Sequence, residues 1–443
     1  MSQIQSDHVH DLEFHVPESN TTGLEVGALD ESCEVFKQVF ALSVASNTAG
    51  NYKGTQWVLQ KRLQSALPGI ISTISGQWGV VWGPAVWKAQ PDNSATGPDN
   101  SWFIAHSPNV IFDDGSTHEA YVVAIAGTAV SSTYDWMTED LEVGSVVDFS
   151  AWLASGITQP PVTMKPEDVI PGGTYAANGV STAVHTLLTE PSPSDAASMG
   201  LTLYEFLCGI PASASTRVVF TGHSLGGALS PTMALALVKS RAMQGEVLVY
   251  PTAGPSPGNG SFAKLFAQTF PSPPNTGSDA EYAVWNINII NSLDIVPQAW
   301  CTRPKQSPAQ NMDNIPPIYG PVIQFIAIAI FFLKFKANLS RTVYIPLPSR
   351  ILSGGKPTST HRHVLEFLRE AGENHTTFYS KVFGVGFPEF VLKMGDKLKE
   401  KTEEEKFLGY PVIGDIEWGN EHRTEVEAAV TAVRACGVPD DDQ

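Results

Sequence analysis

The run Arg217-Val218-Val219-Phe220 leads directly into Thr221-Gly222-His223-Ser224-Leu225-Gly226-Gly227-Ala228-Leu229, and the stretch that follows has helical character. Strand, tight turn and helix in that order leave little freedom. The serine of such a turn stands on a bend so sharp that a Cβ two residues before or after it would strike neighbouring backbone, so both positions must be small. Gly222 and Gly226 meet that demand, with His223 between the first glycine and the serine. A chain with 37 Gly contains chance GxSxG matches, so the flanking strand and helix carry the reading. They make Ser224 a nucleophile at the end of a sheet strand.

A serine hydroxyl is inert at its own pKa and needs a base, which in turn needs an acid to fix its tautomer. In sheets of this kind the chain order is Ser, then Asp or Glu, then His. Downstream, Asn286-Ile287-Asn288-Ile289-Ile290-Asn291-Ser292-Leu293-Asp294-Ile295-Val296-Pro297 sets Asp294 just beyond an apolar strand, where open α/β sheets gather their active sites. Pro297 then ends further pairing. Of the later histidines, His361 and His363 flank Arg362 and read as surface residues, and His422 lies far beyond. His375, in the polar stretch Glu373-Asn374-His375-Thr376-Thr377 before Phe378-Tyr379, reads as a loop residue suited to a general base. A developing oxyanion requires two donors. One is the N–H of Leu225; the other is expected from Thr128, which follows Gly127 after the apolar Ala124-Ile125-Ala126.

The 443 residues carry a net charge of -18, which excludes a polyanionic partner such as nucleic acid and favours neutral or cationic substrates. Cys33, Cys208, Cys301 and Cys436 are widely spaced, show no metal-type pattern, and read as buried free thiols. No metal or other cofactor is expected. Asp7, His8, His10, Asp11 and His15 lie in a polar stretch without an apolar stripe, which reads as a solvated tail rather than a metal site. The first residues lack a basic region followed by an apolar core, so a cytoplasmic location is expected, with secretion the alternative if this start is not the natural one.

Alternating β and α patterns imply an α/β fold: a central, mostly parallel sheet covered by helices on both faces, with N- and C-terminal extensions. The expected organisation is a polar tail over residues 1–25 and a single domain over 26–443. Within that domain lie a catalytic core at about 100–380, a helical N-terminal extension at 26–99 and a C-terminal extension at 381–443. A first helix is expected from a cap at Asp30 through Cys33, Phe36, Phe40 and Val44, and a second from Trp57 to Leu67, ended by Pro68. Strands are expected at Trp102–Ala105, Glu119–Ala126, Arg217–Phe220, Val247–Tyr250, Ala283–Ile290 and Thr342–Ile345, with helices after residues 178, 225 and 260. The apolar run from Val322 to Leu333 is too short to span a bilayer; it reads as a packed core element, or as a surface facing acyl chains or a lipid interface. Lys393–Lys406, dense in both charge signs, reads as a solvated helix.

Several motifs in one order resemble the class 3 (fungal-type) lipase family: Ile125-Ala126-Gly127-Thr128, Asp135-Trp136 and Asp140-Leu141, Gly222 to Ala228, Gly254-Pro255 with Gly258-Asn259, Asp294 to Pro297, and His375 with Tyr379. The resemblance covers about residues 100 to 380. It implies an α/β-hydrolase fold, esterase action on acylglycerols, phospholipids or aromatic esters without a metal, and a lipid or ester substrate met in transient contact with a lipid interface. It further implies a triad of Ser224, Asp294 and His375, an oxyanion hole of Thr128 and Leu225, and a lid at about Ala129–Thr138. The family often has Arg before the Gly-Thr pair, where this chain has Ala126. Acylglycerol hydrolysis is the leading expectation, with a phospholipase A1 or aromatic-ester esterase and a catalytically silent binding scaffold as alternatives.

Overall fold

The computed structural model describes residues 34–128, 142–273, 282–357 and 361–385. The expectations for the polar tail, the Asp30 cap, the lid segment, Asp135 to Leu141, His422, Cys33, Cys436 and the Lys393–Lys406 helix lie outside the described residues. In chain order the helices are α1 (Val35–Ser46), α2 (Gln56–Ile71), α3 (Phe149–Ser155), α4 (Asn178–Thr189), α5 (Leu203–Cys208), α6 (Leu225–Lys239), α7 (Gly260–Thr269), α8 (Gln324–Asn338), α9 (Val364–Gly372) and α10 (Phe378–Phe383). The strands are β1 (Gly79–Trp87), β2 (Asn100–Ile111), β3 (Thr117–Ile125), β4 (Val146–Asp148), β5 (Tyr175–Ala177), β6 (Thr216–His223), β7 (Glu246–Thr252), β8 (Asn288–Asn291) and β9 (Ser349–Leu352).

Seven strands form the central sheet in the order β1-β2-β3-β6-β7-β8-β9, while β4 and β5 pair separately. β1, β2 and β3 are joined antiparallel, the first of these pairs through an irregular register, and from β3 onward every pairing is parallel. Strand alternation splits the core in two. Phe220, Val218, Val123 and Ile125 point toward α4, α6 and α7, whereas Val219, Val122, Ala124 and Phe103 point toward α1, α2 and α10. The sheet is therefore covered on both faces, as expected from the alternation of β and α patterns.

Five local expectations need correction. The N-terminal extension is not only helical, because Gly79–Trp87 forms β1 and joins the sheet edge. Pro68 does not end α2: it forfeits one hydrogen bond, but Ser72 N–H still donates to the Pro68 carbonyl at 3.0 Å, and Leu67 and Ile71 stay buried on the core side. The segment Ala283–Ile290 is mostly not strand. Asn286 has a φ of 60°, and its side chain accepts from Val249 N–H at 3.0 Å and donates to the Pro271 carbonyl at 3.0 Å, so a turn replaces the ladder until Asn288. Thr342–Ile345 contributes only an isolated bridge from Tyr344 to Asn259; Pro346 and Pro348 withhold ladder donors, and the last strand is Ser349–Leu352. Of the thiols expected to be buried, Cys301 is, but Cys208 ends α5 exposed.

The apolar run at 322–333 lies largely in α8. Its buried stripe of Ile326, Ile330, Leu333 and Ala337 packs into the core, while Phe332 is exposed and Phe325, Ile328 and Phe335 are half-buried on other sides.

Candidate active site

β6 ends at His223, and the chain turns at Ser224 with φ 61° and ψ −125° before α6 begins at Leu225. A non-glycine residue in that region costs on the order of 1–3 kcal/mol and persists only where its surroundings enforce it. Here they do. Ser224 N–H donates to the Thr252 carbonyl at 3.0 Å, and Gly227 N–H donates to the Ser224 carbonyl at 2.8 Å. A Cβ on Gly222 would enter the Gly226 backbone, and one on Gly226 would strike the Ile125 carbonyl, so the elbow is closed by backbone on both sides. Gly227 and Gly254 meet in the same way, backbone against backbone, which seats the start of α6 on the end of β7. Leu225, as the first helical residue, has an N–H with no intrahelical partner.

Because β3 neighbours β6 in parallel, with Ile125 opposite Gly222, the loop leaving β3 emerges beside the elbow. A Cβ built on Gly127 would lie 3.0 Å from Ser224 Cβ and 2.8 Å from the His223 carbonyl oxygen. Only a glycine permits that approach. Next to it, the Thr128 hydroxyl is buried and has no hydrogen-bond partner.

Asp294 follows β8 in a turn built by Asn291, whose carbonyl accepts from Asp294 N–H at 3.0 Å and whose Oδ1 accepts from Leu293 N–H at 3.0 Å. The carboxylate is wholly buried and fully engaged: Oδ1 accepts from Val296 N–H at 3.0 Å, and Oδ2 lies 2.9 Å from His375 Nδ1 and 2.9 Å from the Tyr379 hydroxyl. An ionised carboxylate only accepts, so His375 Nδ1 carries the proton and Nε2 is left able to take one. Tyr379 donates to Asp294 and accepts Asn291 N–H at 2.8 Å. Burial, then the Asp294 charge, holds its phenol far above the usual range, so it remains a donor.

His375 does not sit in a polar loop. It lies in a π-helical turn, Glu373–Thr377, between α9 and α10, and is itself buried. Two contacts fix this turn: Asn291 Nδ2 donates to the Asn374 carbonyl at 3.1 Å and to Asn374 Oδ1 at 2.9 Å, and His223 Nε2 lies 2.8 Å from the His375 carbonyl oxygen. His361 is not a surface residue either; it is buried, 3.5 Å from the carboxylate of buried Glu370, with Tyr319 edge-on to its ring. His363 is exposed, as expected. The structure thus brings Ser224, Leu225, Gly127 and Thr128 together around one turn. It pairs Asp294 with His375 and ties His375 to that turn through His223. Sequence reasoning missed Asn291 as the stitch between the Asp294 turn and the His375 turn, although an asparagine two residues before Leu293 is an Asx-turn signal.

Residues 122–303 match the model of a family described as lipase (class 3). That segment is similar to the class 3 lipases. Among solved structures, the chain is similar to M37 lipase, at 23% identity over 79% of this chain and 92% of that one, with a TM-score of 0.57. It is also similar to the mono- and diacylglycerol lipase from Aspergillus oryzae, at 18% identity over 60% and 72% with a TM-score of 0.30. A third likeness is to the Rhizomucor miehei lipase propeptide complex, at 14% identity over 65% and 73% with a TM-score of 0.33. No curated protein matches the chain. The likeness to M37 lipase shows an α/β-hydrolase fold, and the match of residues 122–303 supports an ester hydrolase with a lipid or ester substrate. No helix among the described residues is long and apolar enough to cross a membrane.

Proposed function

We propose that this protein is a lipase that cleaves acylglycerol-type esters through an acyl-enzyme on Ser224. The Ser224 hydroxyl attacks the ester carbonyl while His375 Nε2 takes its proton, and the imidazolium so formed is held by the Asp294 carboxylate. Negative charge develops on the carbonyl oxygen, where Leu225 N–H and Thr128 are the donors. His375 returns the proton to the departing alcohol. Water then attacks the acyl-enzyme by the same route and releases the fatty acid.

The observation that carries this reading is the 2.9 Å contact between His375 Nδ1 and a wholly buried Asp294, because it leaves the second imidazole nitrogen as a base. A long acyl chain is favoured by α8. The cavity beneath it, lined by Ile295, Trp300, Ile330 and Leu333, holds only about 10 Å³, too little for more than a methyl-sized group. The apolar side chains α8 leaves exposed or half-exposed suit contact with acyl chains or a lipid surface instead. The test is hydrolysis of p-nitrophenyl esters from acetate to palmitate by the native chain and by Ser224→Ala. The native chain is expected to prefer the longer esters. Ser224→Ala is expected to lose turnover by around 10⁶ with the fold intact. Retained activity in Ser224→Ala overturns the mechanism, and a preference for acetate overturns the substrate class.

A further inference from the structure

The loop bearing Gly127 and Thr128 must be held against the elbow by something, and residue 126, an alanine, carries no charge to do so. The structure supplies a different anchor. At the C-terminal end of α1, Asn47 Oδ1 accepts the Gly127 N–H at 2.8 Å, a contact spanning 80 positions of sequence. The amide's orientation is fixed by its other half: Asn47 Nδ2 donates to the Ser43 carbonyl at 3.0 Å, so the oxygen must face Gly127. The same helix end grips the loop a second time. Ser101 Oγ donates to the Ser46 carbonyl at 2.7 Å, and Ala126 N–H donates to the Ser101 carbonyl at 2.9 Å. Asn47 Oδ1 also lies 3.5 Å from where a Gly127 Cβ would be, with Ser224 Cβ on the other side at 3.0 Å. Gly127 is thus clamped between the asparagine and the serine.

We infer that Asn47 is a positioning residue for the oxyanion loop: by accepting the Gly127 N–H it sets the distance from Thr128 to the tetrahedral centre on Ser224. This rests on the proposed roles of Ser224 and Thr128. With the Gly127 N–H committed to Asn47, Thr128 is the residue of this loop left to meet the oxyanion, and its unpartnered, buried hydroxyl fits that part. Such a donor acts in the transition state more than in substrate binding. The N-terminal helix, which lies outside the segment matching the family, would then complete the site as well as cover the sheet.

The test compares the full chain with Asn47→Ala and with Asn47→Ser, whose hydroxyl is one atom too short to reach Gly127 but keeps a polar residue at the helix end. Both are expected to lower kcat by about ten- to a hundred-fold, short of the 10²–10³ for losing a donor outright, with KM within twofold. Affinity for an alkyl boronic acid, which forms a tetrahedral adduct on the serine, should fall by the same factor as kcat. A global packing defect would not make those two quantities move together. Unchanged kcat in whichever variant folds, or a lowered kcat with unchanged boronate affinity, overturns the inference. Activity retained in Ser224→Ala, or failure of the boronate to bind the native chain, overturns instead the reading on which it rests.

Discussion

His223 Nε2 lies 2.8 Å from the backbone carbonyl oxygen of His375, so the residue before Ser224 holds the turn that carries the His375 imidazole. A carbonyl only accepts, hence Nε2 is protonated, and Nδ1 accepts from the Thr252 hydroxyl at 3.1 Å. The ring is neutral: burial, then the neighbouring His375, pushes its pKa well below 6.5.

Replacing His223 with Phe removes a hydrogen-bond donor to the buried His375 carbonyl, which costs about 1–3 kcal/mol. Melting temperature and kcat are expected to fall together. The pH dependence follows from the depressed pKa. In the unfolded chain His223 takes a proton near 6.5, while in the folded chain it does so only well below, so this group makes stability fall as pH drops beneath 6.5. His223→Phe should flatten that slope. An equal slope in both proteins, measured by thermal unfolding between pH 7 and pH 5, would assign acid lability to other groups.

Asp113 works in the opposite sense. Burial, with Glu34 and Asp114 close by, pushes its carboxyl up to about 6, and the nearby Arg217 guanidinium is spent on Asp114 at 2.7 Å and Glu246 at 2.8 Å. The folded chain therefore binds the proton more tightly than the unfolded one, and stability falls as pH rises from about 4 to about 6. Asp113→Asn is expected to raise the melting temperature at pH 7 and above, with the gain vanishing near pH 4. A gain that is the same at both pH values would point to packing rather than charge.

His361→Ala removes one partner of the buried Glu370 carboxylate, which keeps Asn374 Nδ2 at 3.3 Å, and is expected to destabilise the fold by about 1–3 kcal/mol. Because His361 pairs with neither Asp294 nor His375, kcat of the folded variant should stay within a few-fold of the native value. His363→Ala, at an exposed position, should move the melting temperature far less. Abolished turnover in a folded His361→Ala protein would reassign the base.

Asn374-His375-Thr376 forms a glycosylation sequon, yet the Asn374 side chain is only 8% exposed and its Nδ2 donates to the Glu370 carbonyl at 3.0 Å. The folded chain gives a glycan no room there. Intact mass of active protein from a glycosylating host is expected to show Asn374 bare. An occupied Asn374 in active enzyme would contradict the packing of the π-helical turn.

What the sequence reveals is governed by the range of the forces involved. Gly222 and Gly226 were legible because the steric demand of the Ser224 turn is local. The chain position of Asp294 was legible because β8 ends where its apolar pattern ends. Burial of His361 was not legible, since it depends on Glu370 and Tyr319, which other segments bring to it. The π-helical turn at His375 was missed because polar residues such as Glu373 and Asn374 look like loop until Asn291 and Glu370 supply their partners. Asn47 gave no signal at all, since its partner is a backbone N–H far along the chain.

The sheet order also bears on how this protein can be cut. The family segment, residues 122–303, contains Ser224 and Asp294 but omits His375, most of β3, and all of β1, β2, α1 and α2. Among the described residues, the edge on this side of the sheet is β1, where Pro84 withholds a ladder donor. A fragment trimmed to the family boundaries would present the remnant of β3 as a raw edge, and Val219 and Leu248 would lose the helices that cover them. Such a fragment would sediment as aggregate rather than fold, so the smallest autonomous unit has to begin ahead of α1 and run past α10.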